Sequence, residues 1–329
     1  MHTPKLAIAA LGGTVSMQAH PGQTGVMPSL SGEDLLASIT GFPQLANIHV
    51  ETLCLQPSAS LDFEDLLNVL DWAKAQVDAG ATGIVVTQGT DSLEEAAFFL
   101  DLLWEKDVPM VLTGAMRPAT QPGADGPANL IAAANVALAP SSRKRGVQVV
   151  MNDQIHGAWY VRKTDSLAVN AFTSPVFGPQ GLIIEGKVVY LKSALARTTL
   201  PRPGRRDHQV AMLEAVLSDA PLLLSQIAKL GYSALVIAGF GAGHLSRDWA
   251  DCVEKLTADI PVIIASRTGS GSTACGTYGF AGGELDLISK GAYMSGLLCP
   301  RKARILLWLL IGCERQDELA EWLERASLA

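Results

Sequence analysis

The chain has 329 residues, of which 48% are hydrophobic and only 17% charged, with a formal net charge of -7. Such a composition excludes a disordered chain and leaves room for two ordinary cores. The mild acidic surplus, free of any block of like charge, excludes an electrostatic nucleic-acid footprint.

Short apolar runs alternate with longer segments of helical period, the pattern of a parallel sheet covered by helices. The apolar run near the amino terminus leads straight into Gly12-Gly13-Thr14. It therefore reads as a first strand, Leu6 to Leu11, and not as a signal peptide. Residues 15–31 are rich in Gly, Pro, Ser and Gln and read as a mobile loop. Ser31 and Asp34 are placed to cap the helix after it. A helix follows from Asp62 to Val77, then a strand from Ile84 to Thr87. Asp91 is expected to start the next helix, with Glu94 in capping-box position and an end near Glu105. Pro109 to Thr113 reads as strand, Ala128 to Ala139 as helix, and Gly146 to Asn152 as strand.

Between 192 and 208 the apolar period stops and Lys192, Arg197, Arg202, Arg205 and Arg206 cluster with Pro201, Pro203 and Gly204. This is expected to be a solvated linker. The α/β pattern then resumes with a strand from Val210 to Val216 and a helix capped by Asp219 with Pro221 just inside. Strand Ala234 to Ala238, helix Trp249 to Thr257, strand Val262 to Ala265 and a final helix from Arg301 complete it. The expected fold class is α/β: a larger amino-terminal domain, 1–191, built on a mostly parallel sheet, and a smaller carboxyl-terminal α/β domain, 209–329. The apolar run Ile305 to Ile311 is too short to span a bilayer, so no membrane partner is expected. The five cysteines, Cys54, Cys252, Cys275, Cys299 and Cys313, are odd in number and scattered, which suits reduced thiols in the cytoplasm.

Ligands of open parallel sheets gather beyond the carboxyl ends of the strands. Three strand ends here are loaded: Gly12-Gly13-Thr14, Gly89-Thr90-Asp91, and Gly114-Ala115-Met116-Arg117-Pro118. Two threonines and an aspartate thus converge on one edge, with glycines that let backbone come close. Other chemistries find little support. The six histidines show no metal-ligand spacing, and Gly239-Phe240-Gly241-Ala242-Gly243 is not a dinucleotide fingerprint. There is no phosphate-cradling Walker loop and no GxSxG elbow. Neither metal nor cofactor is expected.

Over Leu11 to Thr14, Val86 to Glu95, Leu112 to Pro118, Ala124 to Leu130 and Val150 to Asp153 the chain resembles the bacterial-type L-asparaginase family, in a cytoplasmic-like form. Weaker similarity continues through Gly239 to Gly243 and Pro300 to Arg304. The resemblance implies hydrolysis of L-asparagine to L-aspartate and ammonia by a homotetramer of close dimers. It implies Thr14 as nucleophile and a second cluster of Thr90, Asp91 and Lys163. It further implies Ser58 on the substrate α-carboxylate, Asp91 on the α-ammonium and the Ala115 carbonyl by the leaving amide. A carboxylate from a neighbouring subunit would complete the site, with Glu284 the first candidate and Asp286 the second. Two departures stand out: Ala59 replaces a glutamine common in the family, and residues 15–31 contain no tyrosine.

An internal threonine cannot use its own α-amine and needs a separate base. Lys163 is the candidate; burial favours its neutral form and Asp91 its charged form. Backbone amides at the glycine-rich strand ends suit an oxyanion. A dual glutaminase-asparaginase stays open, since one methylene is worth only about 1–3 kcal/mol in a pocket. A tRNA-dependent amidotransferase component and a non-catalytic amino-acid-binding protein are weaker alternatives.

Overall fold

The computed structural model describes residues 3–19, 24–37 and 46–328. The chain divides into two units, 1–199 and 200–329, and the division falls inside the basic, proline-rich stretch.

The first unit runs β1 (Lys5–Ala10), β2 (Met17–Ala19), β3 (Val26–Pro28), α1 (Gly32–Ala37), β4 (Asn47–Thr52), α2 (Phe63–Asp78), β5 (Gly83–Thr87) and α3 (Leu93–Leu103). It continues through β6 (Met110–Thr113), α4 (Gly126–Leu138), β7 (Val147–Met151), β8 (Gln154–Gly157), β9 (Arg162–Lys163), β10 (Phe172–Thr173), β11 (Gly181–Ile184) and β12 (Lys187–Tyr190). Eight strands form one sheet in the order β12-β11-β8-β7-β6-β5-β1-β4. Neighbours from β4 to β7 pair in parallel, and β7, β8, β11 and β12 pair antiparallel. Strands β5, β6 and β7 are buried along their whole length, as parallel strands covered on both faces must be. The edge strand β4 instead alternates exposed and half-buried residues.

Local chemistry sets the helix starts. Asp62 caps α2 by accepting from the Asp65 amide at 2.9 Å, while Asp65 accepts from the Asp62 amide at 3.1 Å. Ser31 and Asp34 exchange the same pair of bonds at the start of α1. Asp91 and Glu94, however, do not cap α3. The N-cap is Ser92 and makes no side-chain cap, its Oγ donating to the Ser58 carbonyl, while Asp91 and Glu94 accept from Lys163. Within 15–31, the described part is not irregular: a 3-10 turn, Thr14–Ser16, leads into a β2–β3 hairpin, and residues 20–23 lie outside the described residues.

The second unit contains β13 (Val210–Glu214), β14 (Ala234–Gly239), α5 (Arg247–Leu256), β15 (Val262–Ser266), α6 (Glu284–Ser289), β16 (Tyr293–Met294), α7 (Pro300–Gly312) and α8 (Leu319–Leu328). Its four strands are all parallel in chain order. The helix expected after Asp219 does not form; only a 3-10 turn, Leu224–Gln226, occupies that stretch. Leu224 and Ile227 are buried in the core of this unit while Leu222, Leu223 and Leu230 are exposed, so the apolar stripe lasts only about one turn. The expected last helix is two, α7 and α8. None of the five cysteines is in a disulfide. Among the described residues no helix is long and apolar enough to cross a membrane.

His208 is buried in this unit. Its Nε2 lies 2.9 Å from the Trp308 carbonyl, and its ring stacks on that indole at 4.9 Å. Burial pushes the imidazole below its ordinary pKa of 6.5, against the bond to Trp308. The unfolded chain therefore binds the proton more tightly, and this contribution to stability is complete above the unfolded value and lost as pH falls through the folded one. Thermal unfolding should show a midpoint that drops as pH falls from 7 to 5. His208→Gln should flatten that slope; an unchanged slope would assign it to other groups.

Candidate active site

Three neighbouring strands, β4, β1 and β5, deliver their carboxyl-terminal loops to one edge of the sheet. The chain passes from β1 to β4 on one side and then crosses to β5 on the other. A crevice forms outside the strand ends at such a reversal. Thr14 follows β1, Ser58 follows β4, Thr90 and Asp91 follow β5, and Ala115 follows β6.

Glycine lets these loops touch. Gly13 has φ 82°, and a Cβ on it would stand 2.1 Å from the Gly89 nitrogen. A Cβ on Gly89 would stand 2.7 Å from Ser58 Oγ, and one on Gly114 2.5 Å from the Gln88 carbonyl oxygen. Ser92 ties the layers laterally: its Oγ donates to the Ser58 carbonyl at 2.7 Å and accepts from Gln88 Nε2 at 3.3 Å.

Thr14 is half-buried at the start of its 3-10 turn, which is closed by Ser16 donating through both N–H and Oγ to the Gly13 carbonyl. Thr90 is buried. Lys163 Nζ donates to Thr90 Oγ1 at 3.0 Å and to Asp91 Oδ1 at 2.7 Å. Asp91 is 71% exposed at its side chain, whereas Lys163 is 15% exposed. The cluster is therefore buried at the lysine and open to solvent at the aspartate. Ser58 Oγ is buried and has no hydrogen-bond partner among the described residues, which fits a group awaiting a ligand oxygen. Ala59 beside it is exposed.

The loop after β6 is held by two residues that the sequence reading did not single out. Asp125 accepts from the amides of Met116, at 3.0 Å, and Arg117, at 2.9 Å. Asn129 Nδ2 donates to the Gly114 carbonyl at 3.0 Å, and Asn129 Oδ1 accepts from the Asn152 amide at 2.9 Å. Together they clamp the backbone on both sides of Ala115. Their signal was the run Ala124 to Leu130, where a buried acid and a buried amide share one face of α4 at i, i+4.

Glu284 belongs to the second unit, as the first residue of α6. It is fully buried. Its Oε1 accepts from the amides of Thr277, at 2.5 Å, and Tyr278, at 2.6 Å, and its Oε2 lies 3.4 Å from His244 Nε2. Burial raises the carboxyl pKa, but the Tyr278 and Thr277 amides outweigh it and hold the group below the usual carboxylate range. Asp286 accepts from the Gly282 amide and from Lys290. Burial raises its pKa as well, and those partners bring it below the usual range. Within one chain both acids brace the loop 277–283. Among the described residues no cluster of acids, histidines and cysteines could hold a metal ion.

Both units match known domain families. Residues 5–196 match the model of the asparaginase amino-terminal domain, and residues 209–323 that of the glutaminase/asparaginase carboxyl-terminal domain. A Haemophilus influenzae protein described as a probable periplasmic L-asparaginase is 36% identical, over 94% of this chain and 88% of its own length. L-asparaginase 2 of Escherichia coli is 32% identical over 94% and 89%. The crystal structure of a probable cytoplasmic L-asparaginase from Campylobacter jejuni superposes with a TM-score of 0.87 at 29% identity, covering 98% of this chain and 99% of that one. Fold and site thus define an amidohydrolase enzyme. The chain belongs to the bacterial-type L-asparaginase family.

A side chain at position 13 has no room and the wrong backbone angle. Gly13→Ala should therefore destabilise the fold by more than about 2 kcal/mol and abolish activity. A variant with unchanged unfolding midpoint and turnover would show that the Gly13–Gly89 contact is dispensable.

Proposed function

We propose that the chain hydrolyses L-asparagine to L-aspartate and ammonia through a threonine nucleophile and an acyl-enzyme. The observation that carries this reading is Lys163 Nζ held between Thr90 Oγ1 and Asp91 Oδ1, on loops that also bring Thr14 and Ser58 to the same sheet edge. A threonine hydroxyl becomes a nucleophile only when a neighbour can take its proton, and an apposed lysine and carboxylate suit that task. Thr14 Oγ would add to the side-chain amide carbon, its proton passing through the neighbouring polar groups to the leaving nitrogen. Ammonia departs and an ester to Thr14 remains, which a water then cleaves to aspartate. Backbone amides of the glycine-rich strand ends would stabilise the oxyanion. Ser58 Oγ, buried and unpaired among the described residues, suits the substrate α-carboxylate. Asp91, exposed on the crevice side, suits the α-ammonium, and the clamped Ala115 carbonyl suits the leaving amide.

The intact cluster weighs against a binding-only protein. Ala59 puts no long side chain beside Ser58, so L-glutamine is the second substrate to test. Thr14→Ala and Thr90→Ala should each lower kcat by roughly a thousandfold, with non-additive losses. Ammonia release from asparagine and glutamine, measured side by side, reads this directly. More than a tenth of wild-type turnover in Thr14→Ala would remove Thr14 from its role.

We further propose a cytoplasmic homotetramer of close dimers. Exposed apolar side chains on β11, just beyond β12 and around Leu217 and Leu222 favour association over a lone monomer. Glu284 stays the first candidate for a carboxylate reaching a neighbouring site and Asp286 the second; Glu284 Oε2, 3.4 Å from His244 Nε2, has no hydrogen-bond partner among the described residues, though the side chain is fully buried within one chain. Mixing inactive Thr14→Ala subunits with inactive Glu284→Ala subunits should then restore part of the activity. Confirmed subunit exchange without recovery would leave Glu284 as a loop brace alone.

A further inference from the structure

Lys163 stands on β9, a strand of two residues whose ladder partner is the equally short β10. Neither belongs to the eight-stranded sheet. The sheet therefore gives the lysine no register, although its ammonium must meet Thr90 at hydrogen-bond distance. Something else has to fix it.

Helix α3 does so along one face. Glu94 Oε2 accepts from the Lys163 backbone amide at 2.5 Å. Phe98 meets the Trp159 ring edge to face, with centroids 5.1 Å apart. Asp101 Oδ2 accepts from Trp159 Nε1 at 2.9 Å. Positions 94, 98 and 101 follow i, i+4, i+7 and so share one stripe of the helix. The segment 159–163 is strapped along that stripe at both ends. The far anchor is itself fixed, since Asp101 Oδ1 accepts from the Val147 amide at 2.7 Å and from Arg197 Nη2 at 2.8 Å. At the near end the five residues 90–94 grip the lysine twice, Thr90 and Asp91 by its ammonium and Glu94 by its backbone.

Glu94 is almost fully buried. A buried carboxylate is costly unless it is satisfied, and in the first turn of a helix it would ordinarily serve that helix's own amides. Here it accepts from a different segment, the one that bears the reactive side chain. Resting on the role proposed for Lys163, we infer that Glu94 is a positioning residue that sets the height of Lys163 against Thr90, with Phe98 and Asp101 as the remainder of the cradle. It touches neither substrate nor reacting atoms.

Displacement of about 1 Å at a catalytic group is worth roughly a hundredfold in rate, so the loss should appear in kcat and spare KM for asparagine. Reach, rather than charge, is what the lysine amide needs. Glu94→Gln keeps an acceptor at the same reach, whereas Glu94→Asp keeps the charge one methylene too short. The expected order of kcat is wild type, then Glu94→Gln, then Glu94→Asp, with the last down by about a hundredfold. Lys163→Met is measured first and must itself be severely impaired; full activity there would refute the role proposed for the lysine, whatever Glu94 does. With Lys163→Met impaired, adding Glu94→Asp should cost less than about threefold, because the two act as a unit. The same hundredfold loss on both backgrounds would overturn the inference, as would Glu94→Asp outperforming Glu94→Gln. Unfolding midpoints of the wild type and all four variants, read in parallel, separate a displaced lysine from a weakened fold.

Discussion

At Gly13 the chain runs so close to Gly89 that a side chain would overlap the next loop's backbone, and Gly89 is pressed in the same way against Ser58. Packing that leaves no room for a Cβ at these points is the constraint from which the rest of the site follows. Parallel strands stand about 4.8 Å apart, so loops leaving adjacent strand ends cannot share one crevice if side chains intervene. Removing the Cβ at 13, 89 and 114 lets the loops after β1, β5 and β6 stack, and the residues next to those glycines are the ones that carry chemistry. Local conformational freedom and catalytic geometry are thus the same requirement here.

The fold was legible where a single physical signal dominated. Continuous apolar runs marked β1, β5, β6, β7, β14 and β15, because both faces of a parallel strand are covered. The stretch from Asn152 to the linker was not legible. Its strands are two to four residues long, and β12 alternates as an antiparallel edge strand does, too briefly to separate from a loop. The opposite error arose after Asp219, where an acidic cap and a following proline looked like a helix start. Caps report where a helix can begin; only a sustained apolar stripe makes it continue, and here the stripe is limited to Leu224 and Ile227, with Leu222 and Leu223 exposed.

The site divides along similar lines. Residues whose chemistry shows in their type, Thr14, Thr90, Asp91 and Lys163, were legible together with their motifs, and the structure brings Lys163 within hydrogen-bond distance of both Thr90 and Asp91. The residues that hold the site in shape were not. Glu94 looked like a helix cap because it lies three residues after an aspartate. The Lys163 amide that it accepts from is 69 residues away, and no local pattern encodes that distance. Asp125 and Asn129 were hidden for the related reason that they bind backbone amides and carbonyls, which every residue carries. Glu284 was named only as a candidate for a neighbouring site, and nothing local in the sequence revealed that it is fully buried and caught by two amides of its own chain.

Helix α3 also works as a ruler. It is continuous and without proline from Leu93 to Leu103, and its two ends hold the two ends of the lysine segment. Each residue added within it would advance the far end by about 1.5 Å and turn it by about 100°, carrying Asp101 off the stripe that Glu94 defines. The loop from Thr164 to Ala171 is under no such rule, since it only returns the chain from β9 to β10. Length is therefore constrained unevenly: the connection beyond the lysine can absorb an added residue without moving either grip on the lysine segment, whereas the helix beneath it cannot.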